Sequence, residues 1–131
     1  PFAGEPALHR PGAGRERHLG QPAKDAEIFA PMLPLTEKTA GLVKAELIAA
    51  LPKGTLVVLV TRAGICDMPT LRRRVLADEL ALAADVFDVE PLPLNDPLLG
   101  RHNVVHTPHN AGRTRHANEQ WVEMLLAKFA P

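Results

Sequence analysis

The sequence predicts an α/β fold in which short parallel strands alternate with crossover helices. The apolar, β-branched run over residues 55–60 is typical of a buried parallel strand. Residues 80–84 form a short apolar run that is ambiguous by itself but stops at Asp85, and residues 104–105 give a third, shorter strand. Segments with apolar residues at helical offsets precede the first two runs, so strand and helix alternate along the chain. Parallel strands joined in this order need right-handed crossovers, and ligands bind outside their carboxyl ends. We therefore expect one sheet with a ligand site along that edge.

The first 22 residues carry no helical or alternating apolar pattern. Proline and glycine are frequent there, so we expect an irregular segment over residues 1–22 and the folded domain over residues 23–131. Gly12 and Gly14 do not form a dinucleotide-binding fingerprint, because no strand precedes them and no third glycine follows at the required offset. The motifs that carry chemistry lie further along the chain.

The folded domain is expected to begin with a strand over residues 27–33, although Pro31 removes one donor from its ladder. A short amphipathic helix is predicted over residues 42–51, because its apolar residues recur at helical offsets. Another helix follows the strand at residues 55–60, with Asp67 as its N-cap and a proline in its first turn. These elements form the first crossovers of the predicted sheet.

Two later segments have ordinary structural explanations. The arginines at residues 72–74 are predicted to lie on the solvated face of a helix. A final helix over residues 114–130 carries an apolar stripe that core packing explains. The stripe consists of Ala117, Trp121, Met124, Leu125 and Phe129. Neither segment needs a ligand to account for its composition.

Composition excludes several classes of protein. The 15 basic and 15 acidic residues cancel, so charge gives no reason to expect nucleic acid or an anionic membrane as a partner. No apolar stretch approaches the roughly 20 residues that span a bilayer. The single cysteine, Cys66, excludes an intramolecular disulfide and suits a reducing compartment, so a cytoplasmic location is expected. With 46% hydrophobic residues, the 131-residue chain can form one globular core.

Six motifs agree in order and spacing with those of a known family. They are Pro34-Leu-Thr-Glu-Lys-Thr39, Pro52-Lys-Gly54, Arg62 with Gly64 and Asp67, Asp85-Val-Phe87, Glu90-Pro91, and Thr107-Pro-His109 with Gly112. From about Asp25 to Phe129, the chain resembles the second half of the NAD-binding domain of the D-isomer-specific 2-hydroxyacid dehydrogenases. The resemblance implies a partial, Rossmann-like parallel sheet truncated at its N-terminal side, because the glycine-rich first βαβ unit and the substrate domain are not among the 131 residues.

The resemblance further implies a fragment of an NAD(P)-dependent oxidoreductase. In a full-length parent, it would transfer hydride between a nicotinamide cofactor and a small 2-hydroxy or 2-keto acid. The cofactor is expected to be NAD, with NADP as the alternative, and the parent is expected to be a homodimer. The isolated fragment is expected to be inactive, because it lacks the glycine turn that would cradle the pyrophosphate.

The same resemblance assigns a catalytic set of Arg62, Glu90 and His109. Histidine can donate a proton near neutral pH, and a carboxylate beside it favours the imidazolium and fixes its tautomer. Arginine can hold a substrate carboxylate through two parallel hydrogen bonds. Asp85 is assigned to the nicotinamide carboxamide. The complete cofactor-binding set is Leu33, Pro34, Thr39, Val60, Thr61, Arg62, Asp85, His109, Asn110, Ala111 and Gly112.

Two non-catalytic interpretations stay open at this point. The fold could serve a cofactor-sensing or protein-interaction module, against which the joint presence of Arg62, Glu90 and His109 weighs. The chain could also be an inactive remnant. Pro31 within a predicted strand and Ala63, where the family usually has glycine, favour the second interpretation.

A metal site is not predicted. His102, His106 and His109 have the spacing of metal ligands, but Pro108 and the predicted strand prevent the continuous helix that would give the spacing its geometric meaning. Cys66 has no assigned acid or histidine partner, so we expect a small buried side chain there and no nucleophile.

Overall fold

The computed structural model describes residues 25–129, so the predicted irregular segment over residues 1–22 and the pair of Gly12 and Gly14 lie outside the described residues. It contains a four-stranded parallel sheet whose strands follow chain order from β1 to β4. The strands are Ile28–Phe29 (β1), Leu56–Leu59 (β2), Ala81–Ala84 (β3) and Val104–His106 (β4). The helices are Ala45–Ala50 (α1), Met68–Leu76 (α2) and Arg115–Phe129 (α3), with 3₁₀ turns at Ala63–Ile65 and Ala111–Arg113. The predicted α/β class is confirmed.

The first predicted strand is much shorter than expected. Only Ile28 and Phe29 pair with β2, opposite Leu56 and Val57, whereas the prediction extended the strand over residues 27–33. Pro31 has no N–H to donate, so regular pairing ends before it. The chain then continues as a loop along the carboxyl end of the sheet.

The apolar core joins alternating residues of β2 and β3 to the inward faces of α1 and α2. Val57, Leu59 and Leu82 are almost fully buried, and they belong to the same cluster as Ile48 of α1 and Leu71 of α2. The alternation follows from the strand period of two, which sends every second side chain to the same face. One face of the sheet therefore carries most of the stabilising burial.

Helix α2 begins as predicted, but two of its three arginines are not solvated as predicted. The Asp67 carboxylate accepts a hydrogen bond from the Thr70 N–H at 2.9 Å, which confirms the N-cap. The prediction that residues 72–74 form a solvated face is wrong for two of the three side chains. Arg74 is buried, and Arg72 bonds two aspartates of the loop that follows β3, while Arg73 is exposed.

Arg74 completes the end of a neighbouring helix. Its Nη1 donates to the carbonyl oxygens of Ile48 at 2.6 Å and Leu51 at 2.9 Å, and its Nε donates to Glu79 at 2.9 Å. Helix α1 ends there, where its last carbonyls have no partner within the helix. A buried guanidinium with five donors can satisfy several such acceptors, which a solvated arginine could not do.

Helix α3 is present, but its apolar stripe is not buried. No residue of this helix is buried within residues 25–129, and the side chains of Trp121 and Phe129 are 63% and 72% exposed. The core-packing prediction for the stripe is therefore wrong in this chain. Helical spacing showed that one face is apolar, but it carried no information about what covers that face. None of the described helices is long and apolar enough to cross a membrane.

Candidate active site

The parallel register brings the ends of three strands side by side. Leu59 pairs with Ala84, and Ala84 pairs with His106, so the chain leaves β2, β3 and β4 at one edge. The N–H of Asp85 donates to the Leu59 carbonyl at 3.0 Å and continues the ladder one residue beyond β3. The predicted polar residues therefore converge at the carboxyl edge, where open α/β sheets bind ligands.

Glu90 and His109 form a direct pair at this edge. His109 Nδ1 lies 2.7 Å from Glu90 Oε2, and Glu90 Oε1 accepts the Phe87 N–H at 2.8 Å. The hydrogen bond to His109 and then that from Phe87 hold the pKa of the Glu90 carboxyl below its usual range. Both side chains are partly exposed. A carboxylate on Nδ1 fixes the imidazole tautomer and directs proton exchange to Nε2.

His109 has a left-handed backbone conformation, with φ at 54°. Non-glycine residues adopt this region rarely, although histidine does so more often than most. Such conformations cluster at functional sites when the surrounding contacts hold them in place. No local sequence pattern indicates this backbone geometry.

Asp85 provides the contacts that hold the segment around His109. Its Oδ1 accepts the Thr107 hydroxyl and, at 2.9 Å, the Asn110 N–H, while its Oδ2 accepts the Ala111 N–H at 3.0 Å. Burial alone would raise the pKa of the Asp85 carboxyl, but the hydrogen bonds from Thr107, Ala111 and Asn110 outweigh it and leave the pKa below its usual value. Each hydrogen bond that the structure gives this carboxylate goes to the loop, so its binding of a nicotinamide carboxamide stays a prediction.

Arg62 places a guanidinium beside Glu90 and His109, and Lys44 lines the same cleft. Arg62 follows β2 and lines the same cleft as Glu90 and His109, a cavity of about 820 Å³. One guanidinium nitrogen donates to the Thr61 carbonyl at 2.7 Å, which sets the direction of the side chain. Arginine has five N–H donors, so this bond leaves others for an anion.

Apolar surface surrounds the charged residues. Leu35, Met68 and Phe87 line the larger cleft beside Arg62, Glu90 and His109. A smaller cleft of about 490 Å³ shares Phe87, Glu90 and His109 and is otherwise mainly apolar. Its remaining lining residues include Pro91, Leu92, Leu94, Leu99 and Pro108. A few convergent polar groups on an apolar wall are typical of sites for small ligands.

The remaining predicted cofactor residues lie at the ends of β1 and β2 and after β4. The Thr39 hydroxyl donates to the Pro34 carbonyl at 2.5 Å and accepts the Thr36 N–H at 2.8 Å, so it closes the loop before α1. The Thr61 hydroxyl lies 3.4 Å from the Pro31 carbonyl. Leu33 packs against the core, and Val60 directly follows β2. Asn110 to Gly112 lie in the turn after β4, where the N–H groups of Asn110 and Ala111 donate to Asp85. Their contacts to a cofactor stay predictions.

The histidines considered as metal ligands and the single cysteine have other structural roles. His106 packs edge-on against Phe87, with ring centroids 6.3 Å apart, while His109 pairs with Glu90. Within residues 25–129, no three histidine, cysteine, aspartate or glutamate side chains come together as a metal site. Cys66 is buried, as predicted, and burial raises the pKa of its thiol to about 11.

Sequence patterns missed the network between α2 and the loop after β3. Arg72 donates to Asp88 at 3.2 Å and also to Asp96. Neither aspartate belongs to a motif, and the arginine lies among three consecutive arginines, so charge spacing alone could not have paired them. Only the packing of α2 beside the loop brings these side chains together.

Comparison with known proteins identifies a matching family model. Residues 5–111 match the model described as "D-isomer specific 2-hydroxyacid dehydrogenase, NAD binding domain". The match covers most of the chain and begins nearer the N-terminus than the resemblance predicted from the motifs, which began at about Asp25. It agrees with NAD as the predicted class of cofactor.

Individual relatives are similar to most of this chain. D-3-phosphoglycerate dehydrogenase of Archaeoglobus fulgidus is 36% identical over 104 residues, which are 79% of this chain and 20% of that protein. Hydroxypyruvate reductase of Thermotoga maritima is 34% identical over 110 residues, which are 81% of this chain and 36% of that protein. The chain thus spans between a fifth and about a third of the length of these relatives.

A solved structure has the same arrangement of elements. The D-isomer specific 2-hydroxyacid dehydrogenase from Xanthobacter autotrophicus Py2, in complex with NADPH and MES, is 37% identical to this chain and superposes with a TM-score of 0.64. The alignment covers 83% of this chain and 47% of that chain.

Proposed function

The chain belongs to the D-isomer-specific 2-hydroxyacid dehydrogenases through their NAD-binding domain, and from this premise we propose that it supplies the proton donor and the substrate-binding arginine of an NAD(P)-dependent oxidoreductase. The proposed reaction transfers hydride between a nicotinamide cofactor and a small 2-hydroxy or 2-keto acid. Relatives that reduce hydroxypyruvate or glyoxylate by name support this class of substrate.

The pairing of Glu90 with His109 carries this proposal. The two side chains meet at 2.7 Å beside Arg62 in one cleft at the carboxyl edge of the sheet. Reduction of a 2-keto acid needs a proton for the carbonyl oxygen and a cation for the carboxylate. Histidine, carboxylate and arginine supply both requirements, so this donor set fits the chemistry of a nicotinamide enzyme.

Each side chain then has a distinct task. Arg62 holds the substrate carboxylate through its planar guanidinium, and His109 Nε2 donates a proton to the carbonyl oxygen. Glu90 stabilises the imidazolium through Nδ1 and keeps the ring oriented. The cofactor, when bound, supplies the hydride. In the oxidative direction, the same imidazole accepts the hydroxyl proton.

The cofactor contacts are proposed for three stretches at the same edge. Leu33, Pro34 and Thr39 follow β1, Val60 and Thr61 follow β2, and Asn110 to Gly112 follow β4. Asp85, which accepts hydrogen bonds from the turn after β4, is proposed to bind the nicotinamide carboxamide. The predicted homodimer and cytoplasmic location of the whole protein stay predictions.

The test uses the protein that carries this chain. Oxidation of NADH and NADPH is followed with glyoxylate, pyruvate and hydroxypyruvate, and formate with NAD serves as the negative control. Arg62→Lys should lower kcat/KM for the keto acid by about 10- to 100-fold, because lysine cannot form the two parallel bonds of a guanidinium. Arg73→Lys, an exposed change on α2, is the matched control. A protein that oxidises formate and ignores all three keto acids would contradict the proposal.

A further inference from the structure

We propose that Arg72 is a positioning residue that holds the loop bearing Glu90 within reach of His109. The expected effect of Arg72 on turnover rests on the proposed function. The expected effect of Arg72 on the Glu90–His109 pair rests on geometry alone. Arg72 lies on α2 and does not line either of the two clefts.

The Arg72 guanidinium bridges two points of one loop. Its Nη1 donates to Asp88 Oδ1 at 3.2 Å, and its Nη2 donates to Asp96 Oδ2. The two aspartates lie on either side of Glu90 along the chain. One planar side chain therefore fixes both ends of the segment that carries the carboxylate, and its fork geometry is specific to arginine.

The far end of this bridge is anchored in the core. The Asp96 side chain is only 8% exposed, and its second oxygen accepts the N–H of Leu98 at 2.9 Å. Leu98 is fully buried. Burial alone would raise the pKa of the Asp96 carboxyl, but the hydrogen bonds from Leu98 and Arg72 outweigh it and keep the pKa below its usual value. A partly buried ion pair of this kind is screened less than an exposed one.

The near end determines where Glu90 can reach. Asp88 lies between Phe87, whose N–H binds Glu90 Oε1, and Glu90 itself. His109 belongs to the segment after β4, which has no buried residue within the described part of the chain. Apolar packing therefore cannot set the position of His109 relative to Glu90. The loop that carries Glu90 is anchored to the core through Asp96 and Leu98, so loss of the Arg72 bridge should let Glu90 and His109 separate.

The charges that face Glu90 define what a titration would report. His109 and Arg62 both favour its ionised form, and Asp88 on its own loop is neutralised by Arg72. Loosening the loop would weaken the hydrogen bond to His109 first. In Arg72→Met protein, the unpaired charge of Asp88 would itself raise the pKa of Glu90. A rise in that pKa in Asp88→Asn protein, which has no such charge, is therefore the readout of the Glu90–His109 pair itself.

The experiment compares Arg72→Met, Arg72→Lys and the matched control Arg73→Met in the protein that carries this chain. Carboxyl carbon NMR follows the titration of Glu90, whose resonance is identified by its absence in Glu90→Gln. Arg72→Met should raise the pKa of Glu90 towards its ordinary value, and it should lower kcat by up to about 100-fold with an unchanged KM for NADH. Arg72→Lys should fall between, because an ammonium lacks the fork. Arg73→Met should change neither quantity.

A milder variant keeps the inference testable if Arg72→Met does not fold. Asp88→Asn removes only the partly exposed arm of the bridge and should shift the Glu90 titration in the same direction by a smaller amount. Folded Arg72→Met or Asp88→Asn protein in which Glu90 titrates as in Arg73→Met would overturn the inference. A shifted titration in a protein that reduces no keto acid would uphold the role of Arg72 and reject the proposed function instead.

Discussion

The region over residues 43–98 and the region over residues 104–129 are built by different forces. Within residues 25–129, every buried residue except Pro31 lies between Val43 and Leu98, whereas β4 and α3 contribute none. The first region is held by apolar packing of β2, β3 and two helices. The second is held to it by strand pairing and by side-chain hydrogen bonds.

The candidate active site lies across the boundary between these regions. Arg62, Asp85 and Glu90 come from the packed region, and His109 comes from the exposed one. The contacts that join them run through two carboxylates, from Asp85 to the turn after β4 and from Glu90 to the imidazole. The reacting group is thus positioned by electrostatics and hydrogen bonding more than by apolar burial.

The largest difference between the regions should appear on truncation of leucines. Leu59→Ala is expected to lower the free energy of unfolding by about 3–5 kcal/mol, because it opens a cavity at a fully buried position. Leu126→Ala, at a position that is 60% exposed, should stay within about 0.5 kcal/mol. Urea denaturation measures both. Equal effects would show that α3 is packed in solution and that the contrast is wrong.

Replacement of a buried polar residue in the packed region should have the next largest effect on the free energy of unfolding. Arg74→Met would leave the carbonyls of Ile48 and Leu51 without their donor and Glu79 without its partner. We expect a loss of about 2–3 kcal/mol, less than for a fully buried pair because Glu79 is partly exposed. Arg73→Met is the control, since its side chain is exposed on the same helix. An equal response of the two variants to denaturant would refute the capping role of Arg74.

The sequence predicted the packed region better than the exposed one, for physical reasons. Strand periodicity places Val57 and Leu59 on one face, and an N-cap such as Asp67 acts within a few residues, so local patterns were sufficient. The first strand ends before Pro31, so the predicted strand over residues 27–33 was too long. Burial of Arg74 depends on where α1 ends beside α2, which no local pattern contains.

The site shows the same division between local and non-local information. The family resemblance selected Arg62, Glu90 and His109, and all three line one cleft because the carboxyl ends of parallel strands meet at one edge. The left-handed backbone of His109 and the three hydrogen bonds that Asp85 accepts were not foreseeable. They arise from residues more than 20 positions apart, whose approach only the sheet register sets.

Acidification should weaken the hydrogen bonds between the two regions before it unfolds the packed region. The pKa of Asp85 in the folded chain lies below its ordinary value of about 3.9, so its stabilising effect is present above that pH and is lost as the pH falls through the folded value. Asp85→Asn should remove this pH dependence and weaken the 107–111 turn by about 1–2 kcal/mol. Amide shifts of Asn110 and Ala111 measure the turn. Shifts that follow global unfolding alone would contradict a separate role.

The smallest expected effect concerns Trp121, the only tryptophan of the chain. Because its side chain is 63% exposed, its fluorescence should resemble that of a solvated indole, and Trp121→Ala should change the free energy of unfolding by no more than about 0.5 kcal/mol. A blue-shifted emission that returns to the solvated value on dilution would show that another surface covers α3.

Turnover of a His109 variant tests the central claim most directly. In the protein that carries this chain, His109→Ala should lower kcat for 2-keto acid reduction by about 100- to 10,000-fold, because the carbonyl oxygen loses its proton donor. The KM for NADH should change little, and Glu90→Gln should produce a smaller loss in the same direction. His102→Ala, a change at an exposed histidine outside the site, should keep wild-type turnover. If His109→Ala retained the turnover of His102→Ala, His109 would not be the proton donor and the site would have been assigned wrongly.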